Sequence, residues 1–408
     1  MVMRLGLSRS RSVPERLSIF VCLGWLVLLL GLLTPLRAPA SVTPLATPLP
    51  LEQGWHYRWG DSPLTAAGTP AWAEETVLGP AWQSLELPGT LAVPAGTPVV
   101  WLAVRLPETP WPQPSLHVRD LPDLLDLYLQ GDRFLVGREL DAAGNLLHSE
   151  GYFPIVPLPS GYPGQLLFAR LATGGHTTIA LGGEGLPTLG SQADLVRQLV
   201  LADAMRLAFG FLFLFCGLFP LVVALSKQAD KTYVSFGVVS LLIGLYTMSP
   251  TQLVRLLFGY GLSWTYVHHA AFHLLPASIC FFSEQIFGPG PRRLLRRLWQ
   301  LQLGYVPIAL TIGSFLDWRL ALYPTHLNIL LMALTLMALA IARAHAGDRE
   351  AKIFTWGLGA FLLAALYDLV VFLTSLALPN VQLFYWGMLV FVVGLAVILD
   401  RRFTQAPN

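Results

Sequence analysis

Seven runs of about twenty mostly apolar residues crowd the second half of this chain, more than the core of a soluble domain can hold. They fall near 204–226, 233–250, 264–287, 301–317, 320–342, 353–377 and 381–399, the fourth being the shortest. A run of this length is what a helix needs to cross the hydrocarbon layer, where each backbone amide must be bonded within its own helix. The pattern predicts a bundle of seven membrane-spanning helices. Charged residues make up only 12% of the 408-residue chain, where a soluble domain carries about 25%.

Basic residues set the orientation of such a bundle. Eleven Lys and Arg lie in the connections and tail on the side that holds Lys227, Arg292 and Arg349, against three (Arg206, Arg255, Arg319) on the other. The basic side and the C-terminus are therefore expected in the cytoplasm, and the N-terminus outside. Ahead of the bundle the balance reverses. Residues 41–203 hold sixteen acidic and seven basic side chains and no lysine, and the remainder holds nineteen basic against eight acidic. Two domains in two compartments follow, and an acidic exported half does not suit a nucleic acid partner. The three cysteines, Cys22, Cys216 and Cys280, all sit in apolar runs, so neither a disulfide framework nor a zinc site is expected.

The N-terminus reads as an export signal. Arg4, Arg9, Arg11 and Arg16 precede LSIFVCLGWLVLLLGLL, and Ala38-Pro39-Ala40 supplies small residues for cleavage before Ser41. An uncleaved anchor is the other reading of the same run. From about 50 to 185 the chain reads as short strands punctuated by Pro and Gly, among them VVWLAVRL, LLDLYLQ and LLFARLA, with LYLQGDRFLVG as a hairpin. This is the pattern of an all-β sandwich or jelly roll. SQADLVRQLVLADAMRL then carries apolar residues at helical spacing straight into the first membrane run. The organisation is thus a multidomain membrane protein: a signal peptide over 1–40, an extracytoplasmic β-sandwich sensor over 41–190, a helical joint over 191–203, a seven-helix domain over 204–400 and a tail over 401–408.

This layout, with Gly54, Trp55, Tyr57 and Trp59 opening the exported domain, the WLAVRL strand from Trp101 to Leu106 and the LYLQG hairpin from Leu127 to Gly131, resembles the bacterial seven-transmembrane receptors with diverse intracellular signalling modules. The resemblance implies a jelly-roll domain similar to carbohydrate-binding ones, a glycan or small-metabolite ligand and a signalling output. Members of that family continue from the seventh helix into a coiled coil and a kinase, cyclase or phosphatase module. Here only eight residues follow Asp400, so the output is expected to be borrowed from a separate cytoplasmic or membrane partner.

Polar side chains inside the membrane runs are costly and usually face the bundle interior. His269, His273, His326, Asp368 and Tyr246 lie at similar depth and form a candidate ligand pocket; the plainer reading is interhelical hydrogen bonding that fixes packing. His269, His273, His326 and Asp368 would equally serve a transporter or a metal-dependent membrane hydrolase, but no internal repeat is visible and the last run carries no histidine. Arg292, Arg293, Arg296 and Arg297 form the largest basic cluster, a candidate docking patch or simply a contact for anionic lipid. The tryptophans of the exported half are expected mostly in its core. Asp120, Asp123 and Asp126 lack the glycine and closing glutamate of a calcium loop. No catalytic motif, metal site or cofactor is expected.

Overall fold

The computed structural model describes residues 47–119, 121, 124–136, 155–159, 161–174, 177–182, 185–226, 231–258, 262–315, 318–374 and 382–405. The expected signal peptide, Asp120, Asp123 and the last three residues lie outside them. The chain divides into two compact units that meet between Ala202 and Asp203, and each is described by itself.

The first unit is built on β1 (Leu49–Pro50), β2 (Trp55–Trp59), β3 (Gln83–Leu85), β4 (Gly89–Ala92), β5 (Val99–Arg105), β6 (Pro114–His117), β7 (Leu124–Leu129), β8 (Asp132–Val136), β9 (Ile155–Pro157), β10 (Leu166–Ala172), β11 (Thr178–Leu181) and β12 (Thr188–Ser191). A six-stranded sheet in the order β3-β2-β5-β10-β7-β8 faces a four-stranded sheet in the order β1-β12-β6-β9, and β11 pairs with β4 in a ribbon. The unit is the expected β-sandwich. Leu102, Val104, Leu127, Leu167 and Leu171 of the larger sheet meet Leu116, Val156 and Leu189 of the smaller one in its core.

The larger sheet is buried on its other face as well. There Val99, Trp101, Ala103, Tyr128 and Phe168 pack under Trp72 and Trp82, which arrive on the excursion between β2 and β3 through a 3-10 turn at Ala71–Glu74. Six of the seven residues of β5 are therefore buried, and its sequence runs apolar without alternating. Trp55, Trp72, Trp82, Trp101 and Trp111 are all buried, so these side chains build the core. The hairpin between β7 and β8 turns through Gln130 and Gly131, both at positive φ (54° and 84°). A two-residue turn of that hand matches the twist of the strands it joins.

The second unit takes up a helix that begins ahead of it. Helix α1 (Gln192–Ser226) runs 35 residues without interruption. Ser191 caps it: its hydroxyl accepts the Asp194 N–H at 3.2 Å, satisfying one of the open amides of the first turn, and donates to the Asp194 carboxylate. There follow α2 (Lys231–Met248), the short α3 (Gln252–Phe258), α4 (Leu262–Phe287), α5 (Leu294–Phe315), α6 (Trp318–His345), α7 (Arg349–Thr374) and α8 (Leu383–Gln405). Among the described residues six of these helices are long and apolar enough to cross a membrane. The seventh long helix, α5, corresponds to the shortest expected run; Gln300 and Gln302 lower its hydropathy, and Gln302 is needed inside the bundle, as described below. Phe213, Phe236, Phe282, Phe354, Phe391 and Leu395 fill the interior, while Phe211, Leu301, Leu327, Trp356 and Leu363 stand exposed on the outside. Apolar residues both inside and outside are what a lipid-facing bundle requires.

Helices α1 and α2 approach to backbone contact. A Cβ on Gly217 would lie 2.7 Å from the Leu241 amide nitrogen and 2.8 Å from the Gly237 carbonyl oxygen, and one on Gly244 would lie 2.9 Å from the Gly210 oxygen. Small residues let dispersion contacts replace the missing hydrophobic drive between helices in lipid.

Candidate functional site

A cleft of about 540 Å³ opens on the outer face of the six-stranded sheet, lined by Asp61, Ser62 and Thr69 of the β2–β3 excursion and by Asp126, Tyr128, Arg133 and Arg170 of the strands. The register places its charges in a row. Arg170 on the central strand β10 stands opposite Asp126 of β7 and opposite Trp101 of β5. Its NH1 reaches Asp126 at 3.3 Å, its Nε donates to Asp61 at 3.0 Å, and its NH2 also pairs with Asp61. Arg133 closes the row on Asp126 at 3.4 Å. Trp101 stacks on Tyr128 at 5.4 Å and 26° and donates its indole N–H to Asp61 at 3.1 Å. Burial pushes the Asp61 carboxyl up, but the hydrogen bonds from Arg170 and Trp101 and the Arg170 charge outweigh it and hold its pKa below the usual carboxylate value. Burial and the Asp126 charge push the Tyr128 phenol up. The site presents fixed, ionised donors and acceptors of both signs.

The bundle holds a second polar group. His273 is fully buried and its Nδ1 lies 2.7 Å from Thr325 Oγ1. Gln302 donates to the His273 carbonyl at 2.9 Å, and Asn328 donates to Gln302 Oε1 at 2.8 Å. These bonds join α4, α5 and α6. His269 lies one turn from His273, with ring centroids 6.4 Å apart. Tyr246 stacks on His268 at 4.9 Å, and His268 meets Ser249 Oγ at 2.9 Å. His326 is exposed and bonds the Leu322 carbonyl of its own helix. Asp368 accepts the Leu383 and Phe384 N–H groups at 3.0 and 2.8 Å, which makes it the cap of α8. Of the five residues expected to share a pocket, His269 and His273 are thus neighbours, Tyr246 joins them through His268, His326 reaches the group through Phe272, whose ring lies 5.5 Å from its own and 5.4 Å from that of His273, and Asp368 bonds elsewhere. Among the described residues no three His, Cys, Asp or Glu side chains are grouped to hold a metal.

The comparisons with known proteins bear on the helical unit. The model of the 7TM diverse intracellular signalling family matches residues 205–402. The helical unit belongs to that family. A comparison with curated proteins finds no match. With six helices long and apolar enough to cross a membrane among the described residues, the chain is a multi-pass membrane protein, and the match of its helical unit points to the role of a membrane sensor or receptor.

Four arginines gather between α4 and the first turn of α5. Arg292, Arg293 and Arg297 are exposed, and Arg296 pairs with the buried Glu284, which also accepts the Trp299 indole N–H at 2.6 Å. Three arginines of the expected docking cluster are therefore open on the surface, and the fourth is tied to α4. The cleft residues other than Asp126 were not apparent in the sequence. The available signal was an arginine in LLFARLA, one charge in a strand that is otherwise apolar.

Proposed function

We propose that this membrane receptor binds a small polyhydroxylated ligand, a sugar or a sugar-like metabolite, in the Arg170 cleft on the outer side of the membrane. The bound state biases the arrangement of the seven helices, and a separate signalling protein or membrane partner reads that bias at the basic, cytoplasmic end. The cleft carries the reading. Its volume of about 540 Å³ is in the range of small-molecule sites. Its carboxylates and guanidiniums alternate, so a ligand of either net charge meets a group of its own sign. Neutral vicinal hydroxyls, which both donate and accept, can bond both kinds of group at once. The orientation rests on the charge count of the connections, and the coupling rests on α1, which leaves the sandwich and enters the bundle without a break.

The test is calorimetric titration of the purified full-length protein with a panel of mono- and oligosaccharides and sugar acids. At least one neutral member should bind, and Arg170→Met should weaken it tenfold or more. Absence of binding across the panel, or equal binding to the Arg170→Met protein, would remove the cleft as the ligand site.

A further inference from the structure

The arginines around the junction of α4 and α5 fall into two groups. Arg296 pairs with Glu284, Arg343 of α6 donates to the Phe287 carbonyl at 2.6 Å, and Arg402 of α8 donates to Glu350 at 2.9 Å and to the Gln285 carbonyl at 3.1 Å. Arg292, Arg293 and Arg297 are exposed, and among the described residues none of them has a hydrogen-bond or ion-pair partner. Glu284 does not serve them: it is buried, and its two oxygens are taken by Arg296 and by the Trp299 indole. A guanidinium stays charged at any working pH, so three positive charges are left to be met from outside the chain.

What lies beside these charges is apolar. Leu294, between Arg293 and Arg297 in the chain, is 43% exposed, and Leu301 and Ile308 are 64% and 54% exposed. Arg297, Leu301, Gly304 and Ile308 follow one another at steps of four, three and four residues, so they form one column along α5, and all four are exposed. A Cβ on Gly304 would meet nothing within 4 Å, which leaves a notch between the two larger side chains. Arg297 stands one turn, about 5.4 Å, from Leu301. In a bilayer the exposed leucines lie among acyl chains, and an arginine one turn away reaches the phosphates of the same leaflet. A soluble protein partner would have to bring its own apolar cover for Leu294 and Leu301, whereas a lipid brings charge and chain together.

We propose that the start of α5 seats an anionic phospholipid, its phosphate held by Arg292, Arg293 and Arg297 and one acyl chain lying along Leu301, Gly304 and Ile308. The fork of a guanidinium fits two oxygens of a phosphodiester. The apolar column separates a lipid from a free phosphate, which has nothing to place there. A zwitterionic lipid carries its own cation beside the phosphate and gains less from the arginines. The seat goes beyond the receptor reading and needs no ligand in the sandwich, so its failure leaves the Arg170 cleft untouched.

Full-length protein carrying a photoreactive benzophenone side chain in place of Leu301 would be reconstituted in vesicles of phosphatidylcholine with about one-tenth phosphatidylglycerol. Irradiation bonds the lipid lying against the probe, and mass spectrometry of the adduct identifies it. Phosphatidylglycerol should be captured about fivefold or more above its share of the bilayer, the factor one arginine near a charged headgroup is worth. The same probe in place of Leu363, exposed on α7, should capture the two lipids in bilayer proportion. Arg297→Gln should lower the enrichment at Leu301, and loss of all three arginines should abolish it. Should the triple variant fail to fold, the single one carries the decision. Arg349→Gln, which removes the same charge from the exposed start of α7, should leave the enrichment in place, and so should inorganic phosphate added at constant ionic strength. Equal capture at Leu301 and Leu363, enrichment that survives loss of the arginines, or an equal loss with Arg349→Gln would overturn the seat. Displacement by inorganic phosphate would likewise overturn it, and would reassign the arginines to a soluble anion.

Discussion

At the scale of the residue, the same side-chain type does different work according to what surrounds it. Asp368 was expected in a ligand pocket, yet its carboxylate is taken up by two amides at the start of α8. Asp368→Ala should cost about 1 kcal/mol, the usual value of a cap, and Asp368→Asn should lose a good part of it as well, because its amide offers one acceptor oxygen where the carboxylate uses two; thermal melts in detergent will show the order. His117 on β6 is 6% exposed, and burial with the nearby Arg119 charge pushes its pKa down to about 4 from 6.5. The folded state therefore holds the neutral ring, while the unfolded chain takes up a proton near 6.5. The stability this gives is fully present above about pH 6.5 and is lost as the pH falls toward 4. Tryptophan fluorescence melts should find the sandwich weakening through that window, and His117→Leu should flatten the dependence there. An equally steep decline in the variant would assign it to other groups.

At the scale of the element, helices were legible and the cleft was not. An apolar run announces a membrane helix by length alone, so α1, α2, α4, α6, α7 and α8 lie close to the segments expected from the sequence. The strands were legible as short apolar stretches between turns, but β5 is buried on both faces, so its sequence does not tell which side is outer. Arg170 joins Asp61, more than a hundred positions away, only because β10 lies between β5 and β7, and nothing local encodes that order. Asp368 likewise finds its partners fifteen and sixteen residues on. The crossing of α1 and α2 was also hidden, because a glycine in an apolar run does not say what passes beside it. Gly217→Ala would drive its Cβ against the Leu241 and Gly237 backbones and should cost about 1–3 kcal/mol, the range for overpacking. Gly304→Ala, which meets nothing within 4 Å, should be neutral or slightly stabilising. Melting both in the same detergent separates contact from helix propensity, and equal effects would refute the close crossing.

At the scale of the whole molecule, a sandwich and a membrane bundle share one helix. Two or three glycines inserted at Asp194 should leave ligand affinity intact and abolish any ligand-driven change in the helical unit, read as a distance between spin labels on two of its helices. A response that survived the insertion would show that the signal takes another route. The unbroken length of α1 has a further consequence, which is angular. Each alanine added between Ala202 and Asp203 turns everything beyond it by about 100° and lifts it about 1.5 Å. Seven alanines come back to within about 20° of the starting phase. If α1 transmits as a rigid shaft, the ligand response of an insertion series should rise and fall with a period near 3.6 residues, lost at two and recovered at seven, so that the receptor would measure orientation before distance.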